Sequence, residues 1–97
     1  MKTVTVNQVP FDAQLIDVRE ADEYAEGHAA NAVHIPLSEF VSRVDEIDTS
    51  RDIYMICLAG GRSAQACEYL QQAHDVEAIN VEGGTRAWRE AELPMEK

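Results

Sequence analysis

The sequence predicts an α/β domain, a three-layer α/β/α sandwich in which helices cover both faces of a mostly parallel sheet of about five strands. Short apolar runs bounded by charges, which are typical of buried parallel strands, alternate with one-sided helical patterns. No repeat, low-complexity segment or linker rich in Pro, Gly or Ser interrupts this alternation. Because 97 residues suffice for one compact core, residues 1–97 are expected to form a single domain.

Five segments have the composition of strands. Residues 3–6 alternate like an edge strand. Residues 14–18 and 52–57 are apolar runs between charged residues, which indicates strands buried on both faces. Residues 32–35 and 77–81 are weaker candidates. Strands that alternate with helices favour parallel pairing, because each crossover helix returns the chain to the same end of the sheet.

Two helices are predicted in the first half of the chain. Residues 21–26 form a short one that Gly27 ends. Ser38 stands where an N-cap belongs, just before an apolar stripe at i, i+4 and i+7. This stripe consists of Phe40, Val44 and Ile47.

Two further helices are predicted in the second half. Residues 63–74 carry an apolar stripe on one side, which favours a helix packed against the sheet. The stripe consists of Ala66, Cys67, Leu70 and Ala73. The last helix covers about residues 85–92, and Pro94 lies just beyond it.

Charge and hydropathy exclude several classes of partner. Eight basic and eighteen acidic side chains give a formal charge of −10, which repels nucleic acids and anionic membranes. No apolar run is long enough for a membrane span or the core of a signal peptide, so we expect a cytoplasmic location. Cys57 and Cys67 form no Cys-x-x-Cys pair, and in a reducing compartment they are more readily a reactive and a buried thiol than a disulfide.

A short loop between the strand at 52–57 and the next helix has the features of a thiolate site. Gly60 and Gly61 allow positive φ, so the backbone can turn several N–H groups inward as an anion cradle. Cys57 is the candidate nucleophile, and we expect the helix N-terminus and Arg62 to lower its pKa. The candidate substrate-binding residues are Leu58, Ala59, Gly60, Gly61, Arg62 and Ser63.

Other reactive side chains are better explained as structural. Cys67 shares the apolar stripe of its helix and is expected in the core. Asp17 and Arg19 are expected to form a polar network that braces nearby loops. His28 and His34 lie in no cluster with metal-ligand spacing, so we expect hydrogen-bonding roles for them, no metal and no cofactor.

Four blocks, taken together and in this order, resemble the rhodanese-like domain, the single-domain form of thiosulfate sulfurtransferase, over nearly the full chain. The third block, residues 57–63, resembles the active loop of that family. One departure is Ala29-Ala30, where the family tends to have a bulkier residue and a glycine. The four blocks are residues 15–20 with Glu23-Tyr24, residues 27–32 followed by 34–37, residues 57–63, and residues 81–84 with Trp88.

The resemblance implies a parallel α/β sandwich and a sulfurtransferase. Cys57 would take the outer sulfur of a donor such as thiosulfate and hold it as a persulfide. Cyanide in vitro, or a thiol in the cell, would then accept that sulfur. A partner protein that receives sulfur is a further expectation. The only cation of the loop is Arg62, so an anionic donor would depend on that residue and on the backbone.

Three alternatives use the same cysteine. The domain could be a sulfur-carrier or regulatory module that does not turn over small thiols. It could be a small phosphatase or arsenate reductase, but the loops of such relatives are one residue longer than the four residues between Cys57 and Arg62. It could also be a redox sensor, in which case peroxide would selectively oxidise Cys57.

Overall fold

The computed structural model describes all 97 residues and contains ten regular elements. Short 3₁₀ turns at Val6–Gln8, Leu37–Glu39 and Val41–Glu46 connect some of them. In chain order the elements are β1 (Lys2–Val4), β2 (Gln14–Asp17), α1 (Ala21–Glu26), β3 (His28–Ala29), β4 (Val33–His34), β5 (Ile53–Ile56), α2 (Gly61–His74), β6 (Ile79–Val81), α3 (Gly84–Glu90) and β7 (Met95–Glu96).

Five strands form one sheet in the order β1-β6-β5-β2-β4, and every neighbouring pair is parallel. The predicted α/β class and its parallel five-stranded sheet are therefore confirmed. From β2 the sheet grows outward to β4, and from β5 it grows the opposite way to β6. The carboxyl ends of β2 and β5 thus flank a switch point, which is where open α/β sheets place ligand sites.

The sheet separates two apolar cores, and β5 contributes to both because its side chains alternate. Ile53 and Met55 pack in a core with Leu70 of α2. Tyr54 and Ile56 face the other core, which contains Trp88 of α3. Cys57 continues the alternation into the first core, so its backbone direction is set by a fully buried strand.

The prediction of an α-helix around Phe40, Val44 and Ile47 is wrong. Residues 37–46 form two consecutive 3₁₀ turns instead of an α-helix, and no side chain caps them. Ser38 lies inside the first turn, where its hydroxyl donates to Glu20 Oε1 at 2.8 Å. Phe40 and Ile47 are nevertheless buried as expected, and they flank the Val41–Glu46 turn at its two ends.

Other boundaries differ by a few residues from the expectation. The edge strand ends at Val4, because Val6 begins a 3₁₀ turn. Helix α2 begins at Gly61, two residues before the predicted start, and α3 spans Gly84–Glu90. A two-stranded antiparallel sheet of β3 and β7 was not expected from the sequence. No helix has the length and apolar character needed to cross a membrane.

Candidate active site

Cys57 lies directly after β5, with its sulfur turned into the loop that leads to α2. The Gly60 N–H donates to Cys57 Sγ at 3.1 Å. The Ser63 hydroxyl lies 3.3 Å from the same sulfur. The cysteine is 1% exposed, so the protein surrounds the thiol on nearly every side.

The surroundings of Cys57 favour its thiolate. Burial alone would raise the pKa of the Cys57 thiol, because a charge is less well solvated inside the protein. Hydrogen bonds from the Ser63 hydroxyl and from the N–H groups of Ser63, Gly60 and Ala59 outweigh this effect and lower the pKa below its usual value. The predicted thiolate site thus has a physical cause, which is a set of donors at the start of α2.

A buried side chain that the sequence did not reveal holds the donors in place. Asn80 on β6 accepts the Ser63 hydroxyl at 2.5 Å and donates to the Gly60 carbonyl at 3.2 Å. The Ser63 hydroxyl has one proton, so at any moment it donates to one of three acceptors: Asn80 Oδ1, the Gly60 carbonyl or the sulfur of Cys57. The S–H can therefore donate to Ser63 in the thiol form, and Ser63 can donate to the sulfur in the thiolate form.

The start of α3 fixes the other side of the loop. The N–H and hydroxyl of Thr85 donate to the Cys57 carbonyl at 2.8 and 2.9 Å. The Arg86 N–H donates to the Leu58 carbonyl at 3.0 Å. Gly84 makes this approach possible, since a Cβ there would lie 2.5 Å from the Cys57 carbonyl oxygen. Gly83-Gly84 is therefore a turn pressed against the loop.

The guanidinium of Arg62 interacts with Cys57 through its charge, and a carboxylate binds it. The guanidinium donates to both carboxylate oxygens of Glu23, at 2.7 and 2.9 Å. No hydrogen bond joins Arg62 to the sulfur of Cys57, whose donors are the loop N–H groups and Ser63. The positive charge predicted for the loop is thus largely neutralised by a carboxylate on α1.

The two loop glycines have different roles, although the sequence suggested the same role for both. Gly60 has φ +114° and precedes the first turn of α2, a conformation that side chains other than glycine rarely adopt. Gly61 has no positive φ, and a Cβ there would meet nothing within 4 Å. Only Gly60 is required for the turn that aims its own N–H at Cys57.

Substituting each glycine separately tests this difference. Gly60→Ala should cost about 1–3 kcal/mol of stability and slow the alkylation of Cys57, because the backbone must leave its present φ. Gly61→Ala should leave both nearly unchanged, since alanine suits a helix. Thermal unfolding and the rate of iodoacetamide labelling measure the two effects. Equal behaviour of the two variants would contradict the assignment.

The four side chains for which structural roles are expected make ion-pair or hydrogen-bonding contacts within the fold. Arg19 and Asp17 form a buried ion pair at 2.9 Å, and Arg19 also donates to the Gly27 carbonyl at 2.8 Å. His28 Nδ1 lies 2.8 Å from the Tyr24 carbonyl, and His34 Nε2 lies 2.7 Å from the Arg19 carbonyl. Their bracing and hydrogen-bonding roles are confirmed.

Cys67 provides a contrast to Cys57. It lies in the core beneath α2, is 3% exposed, and forms no disulfide. Burial raises the pKa of its thiol to about 12, so it stays protonated at neutral pH. The expectation that Cys67 belongs to the core is confirmed. No group of three His, Cys, Asp or Glu side chains is arranged to hold a metal ion.

Comparison with known proteins agrees with this geometry. The family model of the rhodanese-like domain matches residues 6–91, and the chain belongs to this family. A sulfurtransferase of Allochromatium vinosum is 37% identical over 84 residues, which cover 87% of this chain and 78% of that protein. The thiosulfate sulfurtransferase GlpE of Vibrio cholerae is 31% identical over 84 residues, with 87% and 79% covered.

A solved structure supports the same family assignment. The crystal structure of a rhodanese-like domain protein from Staphylococcus aureus superposes with a TM-score of 0.82 at 34% identity. The match covers 91% of each chain. The fold and the resemblance stated from the sequence are therefore both confirmed.

Proposed function

We propose that this protein is a sulfurtransferase that carries sulfane sulfur as a persulfide on Cys57. The observation that carries the proposal is the set of donors around the Cys57 sulfur, which lowers its pKa. Thiolates are the reactive form of cysteine, and a sulfur bound to Cys57 would meet the N–H groups at the start of α2. Relatives named as sulfurtransferases support the same activity.

The proposed reaction has two displacement steps. The Cys57 thiolate attacks the outer sulfur of a donor, the S–S bond of the donor breaks, and the leaving group departs with the bonding electrons. With thiosulfate the leaving group is sulfite, and the protein holds Cys57–S–S⁻. An acceptor thiolate then attacks the outer sulfur of this persulfide. Its attack gives an acceptor persulfide and restores the Cys57 thiolate.

The closed surroundings of Cys57 favour sulfur transfer over phosphate hydrolysis. Phosphoryl transfer depends on positive groups that stabilise the charge on the transferred phosphoryl, and Arg62 is already bound to Glu23 through both carboxylate oxygens. The four residues between Cys57 and Arg62 also leave a small cradle. We therefore place the phosphatase alternative below sulfur transfer.

Steady-state kinetics test the proposal. Sulfur transfer from a thiosulfonate donor to dithiothreitol should give parallel double-reciprocal lines, as expected when the donor leaves before the acceptor binds. Cys57→Ser should abolish the transfer, and Cys67→Ser is the matched control that should retain it. Persulfide formation without turnover would favour the carrier module. Turnover that survives Cys57→Ser would refute the proposal.

A further inference from the structure

Glu23 is the acidic side chain that comes to the loop from another part of the chain. It lies on α1, and α1 follows β2 at the switch point of the sheet. There its carboxylate binds Arg62 of α2 through two hydrogen bonds of 2.7 and 2.9 Å. Both side chains are about one-third exposed, at 29% and 33%. The pair thus lies at the surface of the candidate site.

The position of Glu23 is fixed before any ligand arrives. Its Oε1 also accepts the Glu20 N–H at 3.1 Å at the beginning of α1. The Glu20 side chain is itself held by the Ser38 hydroxyl. Hydrogen bonding to Arg62 lowers the pKa of Glu23 to about 2, so this carboxylate is ionised at neutral pH. A negative charge therefore stands permanently beside the only cation of the loop.

This arrangement affects donors according to their charge. Thiosulfate carries two negative charges, and it would have to displace Glu23 or approach it in a protein of formal charge −10. An alkyl persulfide carries at most one negative charge. Thiosulfonates also carry one, and they present the same kind of transferable sulfur as thiosulfate does.

We infer that Glu23 is a specificity-determining residue that disfavours dianionic sulfur donors and leaves the site to persulfides of uncharged or cationic thiols. The inference rests on the proposed function, because it concerns which donor loads Cys57. In the favoured step, RS–SH and the Cys57 thiolate give Cys57–S–SH and RS⁻. The S–S bond of the donor breaks, a new S–S bond forms, and RS⁻ takes the bonding electrons.

The test compares two donors that differ by one charge, thiosulfate and methanethiosulfonate. Their leaving groups are sulfite and methanesulfinate, so each donor delivers one sulfur atom. For each variant, the rate of Cys57 loading is followed by rapid-quench mixing and intact-protein mass spectrometry. The ratio of the two rates is then compared between each variant and the wild type, which cancels the difference in intrinsic reactivity between the donors.

At low ionic strength, Glu23→Gln should raise the rate of Cys57 loading by thiosulfate on the order of tenfold. Few salt ions then screen the repulsion between the carboxylate and the donor. Loading by methanethiosulfonate should rise only about threefold, since one charge gives half the energy that two charges give. Glu26→Gln is the matched control, because it removes the same charge from exposed Glu26 on the same helix without contacting Arg62. Its rate ratio should equal that of the wild type.

The outcomes separate the inference from the proposed function. An unchanged rate ratio in Glu23→Gln, or an equal change in Glu26→Gln, overturns the inference while loading itself still supports sulfur transfer. If neither donor loads Cys57 in any variant, the inference and the proposed function are both overturned. Glu23→Ala provides a second variant if glutamine keeps a hydrogen bond to Arg62, and the ratio should change in the same direction. Thermal unfolding confirms that each variant is folded.

Discussion

Gly84→Ala should lower the free energy of unfolding by about 2–5 kcal/mol, because positive-φ strain and overpacking act at the same position. Gly84 has φ +57°, and an added Cβ would lie 2.5 Å from the Cys57 carbonyl oxygen and 2.6 Å from that of Leu58. Backbone oxygens cannot rotate away as a side chain can. The loop must therefore shift, and the Thr85 hydrogen bonds to Cys57 should weaken.

The effect of Gly84→Ala is measured as a melting temperature and as a rate of Cys57 alkylation. For a chain of this size the expected loss corresponds to at least roughly 10 °C. Gly61→Ala is the matched control, because the same methyl group meets open space there. A melting temperature within about 2 °C of the wild type would show that the loop and α3 are not pressed together as described.

Arg19→Met is expected to have a similarly large effect, because it leaves the buried Asp17 carboxylate without its cation. Asp17 is 0% and Arg19 3% exposed, and their side chains share three hydrogen bonds of 2.9–3.1 Å. Removing one partner of a buried pair costs about 3–5 kcal/mol. The Gly27 carbonyl would also lose its donor, so the end of α1 should loosen.

Two controls accompany this substitution in urea unfolding. The double variant Asp17→Asn, Arg19→Met should regain part of the loss, because the unpaired charge is gone. Arg43→Met should change stability little, although Arg43 binds both Glu39 and Glu46, because that cluster is exposed to solvent. If Arg19→Met were no more destabilising than Arg43→Met, the buried pair would not brace the fold.

Local pattern was sufficient to predict the main sheet. The strands at 14–18 and 52–57 are apolar runs because both of their faces are buried, and that signal lies within each segment. An α-helix was wrongly predicted for residues 37–46, since Phe40 and Ile47 are buried but flank a 3₁₀ turn and do not form the stripe of an α-helix. The pairing of β3 with β7 joins segments over 60 residues apart, and neither has a distinctive pattern.

The candidate site was likewise predictable from the sequence only in part. Cys57 and its loop were predictable because strand, cysteine, glycine and helix are consecutive in the sequence. Glu23 and Asn80 were not, because the topology brings them to the loop from 39 and 20 residues away. Local pattern also cannot tell which of two adjacent glycines has a positive φ. In this chain only Gly60 does.

These contacts assign distinct roles to the residues around one sulfur. Gly60 and Ser63 donate to Cys57, Asn80 positions these donors, and α3 holds the backbone on the opposite side. Glu23 binds Arg62, the positive charge that an anionic donor would need. The proposed sulfur transfer therefore requires that Cys57, and not Cys67, is the thiol that accepts sulfur.

Intact-protein mass spectrometry after incubation with methanethiosulfonate tests that claim most directly. The wild type and Cys67→Ser should each gain the mass of one sulfur atom, and dithiothreitol should remove it. Cys57→Ser should gain nothing, because burial without a nearby donor raises the pKa of the Cys67 thiol to about 12 and keeps it protonated at neutral pH. A wild-type protein that gains no sulfur, or a Cys57→Ser variant that gains it as readily as the wild type, would contradict the account.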